Sequence, residues 1–129
     1  MNRKHLSPAV EDYLEAILAL TSDGEPVRSV EIAEYLELSR AAVSKAMVNL
    51  AQEGLVEHAL YGRIRLTETG QNLAAEILQT HRMLKLFLVE TLGVSEKAAE
   101  QDACRLEHVI SAETRQKWLD HIESSRNIR

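Results

Sequence analysis

The chain has 129 residues, a net charge of −5, 45% hydrophobic residues and only 4% aromatic ones. That is the size of one compact domain or two small lobes, with a core built mainly from Leu, Val, Ile and Ala. The acidic balance argues against a bulk electrostatic nucleic-acid binder, the single cysteine excludes an internal disulfide framework, and no apolar run is long enough to cross a membrane.

The first residues, Met-Asn-Arg-Lys-His, lack the apolar centre of a signal peptide, so a cytoplasmic location is expected. Ser7-Pro8 reads as an N-cap followed by proline at the first helical position. The helix it opens is expected to run to about Thr21, with Tyr13, Leu14, Ile17, Leu18 and Leu20 on its apolar face. Residues 22–26, Ser-Asp-Gly-Glu-Pro, read as a loop. A short helix from Val30 to Leu36, capped by Ser29, turns Ile32, Ala33 and Leu36 inward. Ser39 caps a third helix with Val43, Ala46, Met47 and Leu50 at helical spacing, closed by Gly54.

The period then changes. Residues 55–59 and 63–66 alternate like two strands, joined by a tight turn at Leu60-Tyr61-Gly62. One long helix is expected from Thr67 to about Leu92, ending at Gly93. Ser95 caps another, and a last helix starts near Ser111 and includes Trp118, with residues 124–129 frayed. Residues 37–70 carry four bases and four acids, whereas residues 90–123 carry eight acids and four bases. A bound cation would neutralise that acidic back half.

Helix, helix, turn, helix and a two-stranded hairpin is the order of a winged helix-turn-helix. The fold class expected is mainly α, with that unit over residues 1–70 and a further helical domain over residues 71–129, to which a family resemblance assigns dimerisation and metal binding. In the helix-turn-helix, Ala33 permits close helix approach, Leu38 plugs the turn and Val43 anchors the second helix from inside, while Glu37 stands where glycine is common. The outward residues of the second helix suit a major groove. Arg40, Lys45 and Asn49 offer donors, Ser44 a hydroxyl, and Ala41 and Ala42 methyls for thymine. Tyr61, Arg63 and Arg65 on the hairpin could reach a neighbouring groove or backbone. The same tri-helical unit also serves as a plain protein-interaction module.

Cys104-Arg105-Leu106-Glu107-His108 places a thiol at i, i+3 and i+4 to a carboxylate and an imidazole. On a helix these share one face and could hold a divalent transition metal. The same residues also suit a buried thiol beside a solvated Glu-His pair, which would make the face structural.

Taken together, the chain resembles the diphtheria toxin repressor family, the iron-dependent repressors and manganese transport regulators. The resemblance rests on residues 11–17 (Glu-Asp-Tyr-Leu-Glu-Ala-Ile), the helix-turn-helix of residues 30–55, Leu66-Thr67-Glu68-Thr69-Gly70, Thr80-His81-Arg82, and residues 102–109 around Cys104. It implies a homodimeric repressor of metal-homeostasis genes, activated by Mn²⁺ or Fe²⁺, with Zn²⁺ also possible, and bound to double-stranded operator DNA. By position, the family's metal ligands fall on Asp12, Glu15, His81, Cys104, Glu107 and His108. The spacing agrees, since Asp12 and Glu15 are i, i+3 on the first helix. Asp12 is the residue of the manganese branch and Cys104 that of the iron branch. Lys85 and Glu100 replace two residues of the iron branch's second site, so a second ion would have Glu15, His81 and Glu107 to hold it. The chain is expected to lack the SH3-like C-terminal domain of longer members.

On this reading the ion bridges the two lobes and sets the spacing of the recognition helices. Leu84, Phe87, Leu88, Leu92, Val109 and Trp118 are candidates for the dimer core, or for ordinary intramolecular core. No nucleophile–base pair or Gly-rich phosphate loop is present, so neither an enzyme nor a small organic substrate is expected. The alternative is a winged-helix regulator or interaction module whose Cys-Glu-His face binds no metal.

Overall fold

The computed structural model describes residues 6–21 and 24–127; Ser22 and Asp23 of the expected loop, the first five residues and the last two lie outside the described residues. The chain is mainly helical, with α1 (Pro8–Leu20), β1 (Val27–Arg28), α2 (Ser29–Leu36), α3 (Arg40–Gln52), β2 (Val56–His58), β3 (Arg63–Leu66), α4 (Glu68–Glu90), α5 (Glu96–Val109) and α6 (Ala112–Asn127). No helix among the described residues is long and apolar enough to cross a membrane. Contacts divide the chain into two compact units, and the division falls inside α4, between Ala75 and Glu76.

The first unit, Leu6–Ala75, is a winged helix-turn-helix. The Ser7 hydroxyl accepts the Val10 N–H at 3.2 Å and Pro8 occupies the first turn, which starts α1. Leu14, Ile17, Ile32, Val43, Met47, Leu50, Leu55 and Ile64 are almost wholly removed from solvent and form the core. The turn between α2 and α3 passes through Glu37 in the left-handed region (φ 57°). A side chain with a Cβ is strained there, which is why glycine is common at this position. The Ser39 hydroxyl then accepts the Ala42 N–H at 3.1 Å and opens α3.

Three local expectations change. The α2 cap is Arg28 rather than Ser29, and the Glu31 carboxylate accepts the Arg28 N–H at 3.1 Å. Leu38 does not plug the turn: it is 44% exposed. The hairpin also has a third strand, β1, which pairs antiparallel with β3 through Val27↔Ile64 and Arg28↔Arg63 and leaves β3 central between β1 and β2. The β2–β3 pair runs Val56↔Leu66 to His58↔Ile64. Its connection is a single 3₁₀ turn at Leu60–Gly62 in which Tyr61 takes φ 62°.

The junction into α4 is tightly built. The Thr67 hydroxyl donates to the Gly54 carbonyl at 2.6 Å and accepts the Gly70 N–H at 3.1 Å. Gly70 lies against Leu55, where any Cβ would collide with the Leu55 carbonyl oxygen.

The second unit comprises the rest of α4 with α5 and α6. Ile77, Leu84, Leu88, Ala99, Ala103 and Ile122 are buried. Leu84 and Leu88, two of the dimer-core candidates, are therefore intramolecular core, whereas Leu92 (60% exposed) and Val109 (77% exposed) lie open. Phe87 and Trp118 meet edge to face, ring centroids 5.3 Å apart. Gly93 ends the long helix at φ 71° and the Ser95 hydroxyl accepts the Ala98 N–H to begin α5. The fraying expected from residue 124 onward does not start there, since α6 continues to Asn127.

Candidate metal centre and nucleic-acid interface

In the second unit, α4 and α5 bring four potential ligands together. His81 on α4 and Glu107 on α5 are both buried, an unusual state for ionisable groups without a matched partner or a bound ion. His81 Nδ1 lies 3.4 Å from Glu107 Oε2, and His108 Nε2 lies 3.8 Å from Glu107 Oε1. Cys104 and His108, one helical turn apart on α5, offer donor atoms within 4.8 Å of each other, as His81 and Glu107 do. Glu107 thus stands between two imidazoles, one facing each of its oxygens.

The donor set fits a divalent cation. Two ligand atoms at about 2.1 Å from a common ion stand roughly 3–3.5 Å apart, so the His81–Glu107 separation already matches. Imidazole, carboxylate and thiolate together suit Mn²⁺, Fe²⁺ or Zn²⁺.

The other nitrogen of His81 is also engaged. Nε2 lies 2.9 Å from Glu100 Oε1, and Lys85 Nζ lies 3.1 Å from Glu100 Oε2. The hydrogen bond to Glu107, opposed by burial and assisted by the Glu107 and Glu100 charges, raises the His81 pKa to about 9. Partial burial pushes the Glu100 carboxyl up, but Lys85 and His81 outweigh it and the net shift is downward. From the sequence, Glu100 and Lys85 stand out only as departures from a family pattern. The available signal was spacing: Lys85 is four residues after His81, and Glu100 is seven before Glu107, so each shares a face with a ligand.

In the first unit, Asp12 and Glu15 sit half-buried one turn apart on α1, and Glu11 beside them is buried. The six expected ligands thus lie on α1, α4 and α5, with four of them gathered inside one unit.

The nucleic-acid candidates divide cleanly on α3. Arg40, Ala41, Ala42, Ser44, Lys45 and Asn49 are all exposed, while Val43, Met47 and Leu50 on the opposite face are buried. Val48, half exposed, belongs to the same outward surface and was missed because an apolar residue reads as core. On the hairpin, Tyr61 is 94% exposed. Arg65 is exposed and pairs loosely with Glu57 at 3.9 Å. Arg63 is half-buried and donates to the Pro26 carbonyl at 3.4 Å, so it also ties the hairpin to the loop before β1.

Comparisons with known proteins find two family domains along the chain. Residues 5–64 match the iron-dependent repressor N-terminal DNA-binding domain, and residues 67–124 match the iron-dependent repressor metal-binding and dimerisation domain. An uncharacterised HTH-type transcriptional regulator of Methanocaldococcus jannaschii is 40% identical over 84% of this chain and 87% of its own length. The transcriptional regulator MntR of Escherichia coli O157:H7 is 36% identical over 85% of this chain and 70% of its own. The solved structure of the manganese regulator SloR superposes with a TM-score of 0.77 at 30% identity, over 92% of this chain and 55% of that one.

Proposed function

The chain belongs to the diphtheria toxin repressor family of metal-dependent transcriptional repressors, and from that premise we propose that it is a homodimeric repressor switched on by Mn²⁺ or Fe²⁺, with Zn²⁺ as a further ligand. The observation that carries the reading is the buried His81–Glu107 pair with His108 and Cys104 beside it. We assign Asp12 and Glu15 as the ligands contributed by α1, which makes the set six residues from three helices.

A bound divalent cation would supply positive charge against Glu107, Asp12 and Glu15 and a common point to which both units are tied. Glu107, whose two oxygens face His81 and His108, would be a carboxylate ligand at the middle of the set. His81 and His108 would contribute neutral nitrogens to a bound ion, and Cys104 a thiolate that would draw preference toward softer ions than a purely oxygen-rich set would. Asp12 and Glu15, on the DNA-binding unit, convert occupancy into a restricted orientation of α3. A two-fold dimer must present its recognition helices about 34–36 Å apart to read successive major grooves. Such coupling is typically worth about 1–3 kcal/mol, a 5- to 150-fold change in affinity, and is reciprocal, so DNA tightens metal binding. On α3, Arg40, Ala41, Ala42, Ser44, Lys45 and Asn49 face the groove, and Arg63 the backbone. No reaction is part of this function.

The test uses a palindromic duplex selected from a random pool with Mn²⁺ present. Affinity is measured with Mn²⁺, Fe²⁺, Zn²⁺ or excess chelator, for wild type, Glu107→Ala and His108→Ala. Metal is expected to tighten binding of wild type and of neither variant, with the variants folded by circular dichroism. Equal affinity with and without chelator defeats the metal-dependent reading. An undiminished response in either variant defeats the ligand assignment.

A further inference from the structure

We propose that Glu100 and Lys85 act as an orienting pair for His81, fixing the ring so that Nδ1 is the metal-ligating atom while Nε2 keeps its proton. This rests on the metal-dependent reading above and adds a positioning role for two residues outside the ligand set.

The geometry is specific. The two ring nitrogens of His81 face two different carboxylates on α5, Nδ1 toward Glu107 Oε2 at 3.4 Å and Nε2 toward Glu100 Oε1 at 2.9 Å. An ionised carboxylate can only accept, so the short contact to Glu100 requires the proton on Nε2. A cation displacing the proton that Nδ1 directs at the buried Glu107 would find the Nδ1 lone pair there, with Nε2 still protonated toward Glu100. A histidine that binds metal through one nitrogen commonly gives its other N–H to a carboxylate, which fixes tautomer and ring plane and raises ligand basicity.

Lys85 explains why Glu100 orients rather than ligates. It lies one turn beyond His81 on α4, and its ammonium sits 3.1 Å from the second oxygen of Glu100. Glu100 thus divides its oxygens between the ring and the lysine, and the fixed positive charge beside it discourages a second cation. The chain carries its own cation at this point. The exposure of Glu100, 54% for the side chain, means that replacing it leaves the core intact.

The experiment uses the full chain, ¹⁵N-labelled and loaded with Zn²⁺ as a diamagnetic probe. Long-range ¹H–¹⁵N spectra report which His81 nitrogen is protonated, and competition with a chelating dye gives Zn²⁺ affinity. Wild type is expected to show a protonated Nε2 and a coordinated Nδ1. Glu100→Ala should lose about tenfold to a hundredfold in affinity together with that Nε2–H signature. Glu100→Gln, whose amide oxygen still accepts, should recover most of both. Lys85→Met, which leaves Glu100 unanchored, should fall between them. Wild-type affinity and an unchanged Nε2–H signal in Glu100→Ala would overturn the inference while leaving the metal reading intact, as would a ring coordinated through Nε2. A wild-type chain that takes up no Zn²⁺ overturns both.

Discussion

Among the described residues, the two units bury polarity to different extents: the DNA-binding unit encloses the single carboxylate of Glu11, whereas the second unit encloses His81 and Glu107 together with Thr80. The DNA-binding unit closes on aliphatic side chains, with Leu14, Ile17, Ile32, Met47 and Leu50 sealed from solvent, and keeps its bases on the outer face of α3. The second unit has a thinner apolar core and spends part of its interior on His81 and Glu107. Burying a carboxylate beside an imidazole adds little to stability when solvation losses are counted, and its usual compensation is a function. The first unit is thus organised to be rigid on its own, the second to respond.

The sharpest way to break this contrast is to damage the core of the first unit and load the second with metal. Leu14→Ala should cost about 2–5 kcal/mol, because it opens a cavity in a sealed core. Saturating metal at a hundredfold over its Kd should return about 2.7 kcal/mol, chiefly to the unit that holds four of the six assigned ligands. Native-state hydrogen exchange resolves the two: metal is expected to protect α4 and α5 amides from residue 76 onward, while Leu14→Ala loosens α1 to α3 with or without metal. Equal protection of α3 by metal in the absence of DNA would remove the distinction between a self-sufficient and a responsive unit.

DNA contacts sharpen the comparison within the first unit. Lys45→Ala should cost about 1–3 kcal/mol on the selected duplex and relax specificity at one position per half-site, as expected for a base contact. Arg63→Ala should weaken all sequences alike and lower the log–log salt dependence by roughly one unit. Affinity on selected and scrambled duplexes at several salt concentrations decides between these. Since Arg63 also holds the Pro26 carbonyl, a drop in thermal stability should accompany its effect but not that of Lys45.

A further effect is one of pH. In the metal-free chain, His81 is raised from its ordinary value to about 9, so the folded state holds this proton more tightly than the unfolded chain does. The stabilisation is fully present below the unfolded value near 6.5 and is lost as pH rises through about 9. Denaturant unfolding of the metal-free protein should therefore show stability falling over that window, and Glu107→Gln should flatten the slope. A flat wild-type profile would mean that the pair contributes nothing to the responsive unit's stability.

Elements with strong local signals are legible in the sequence. Ser7, Ser39 and Ser95 each cap a helix where a hydroxyl precedes an apolar period, and Gly93 closes α4 in the left-handed conformation its position demands. The i, i+3, i+4 spacing puts Cys104, Glu107 and His108 on one face, and α5 carries them so. What escapes a reading of the residues depends on distant partners. Strand β1 is two residues long, and only pairing with β3 makes it a strand. Leu38 and Val48 are apolar by type but exposed by tertiary placement, while Leu84 and Leu88 could have served either an internal core or a dimer surface. The engagement of His81 by Glu100 joins residues nineteen apart through helix packing, which no local period encodes.

The distribution of chromophores follows the same boundary. The three tyrosines, Tyr13, Tyr35 and Tyr61, all lie in the DNA-binding unit, and the single tryptophan, Trp118, lies in the other, against Phe87. Excitation at the red edge of the tryptophan band therefore reads the second unit alone. Tyr61, nearly bare on the hairpin tip, is open to quenchers that the buried Tyr13 excludes. One unlabelled sample thus carries separate optical channels for the sensing half and the reading half, and the order in which the two signals change after metal is mixed in can be followed directly.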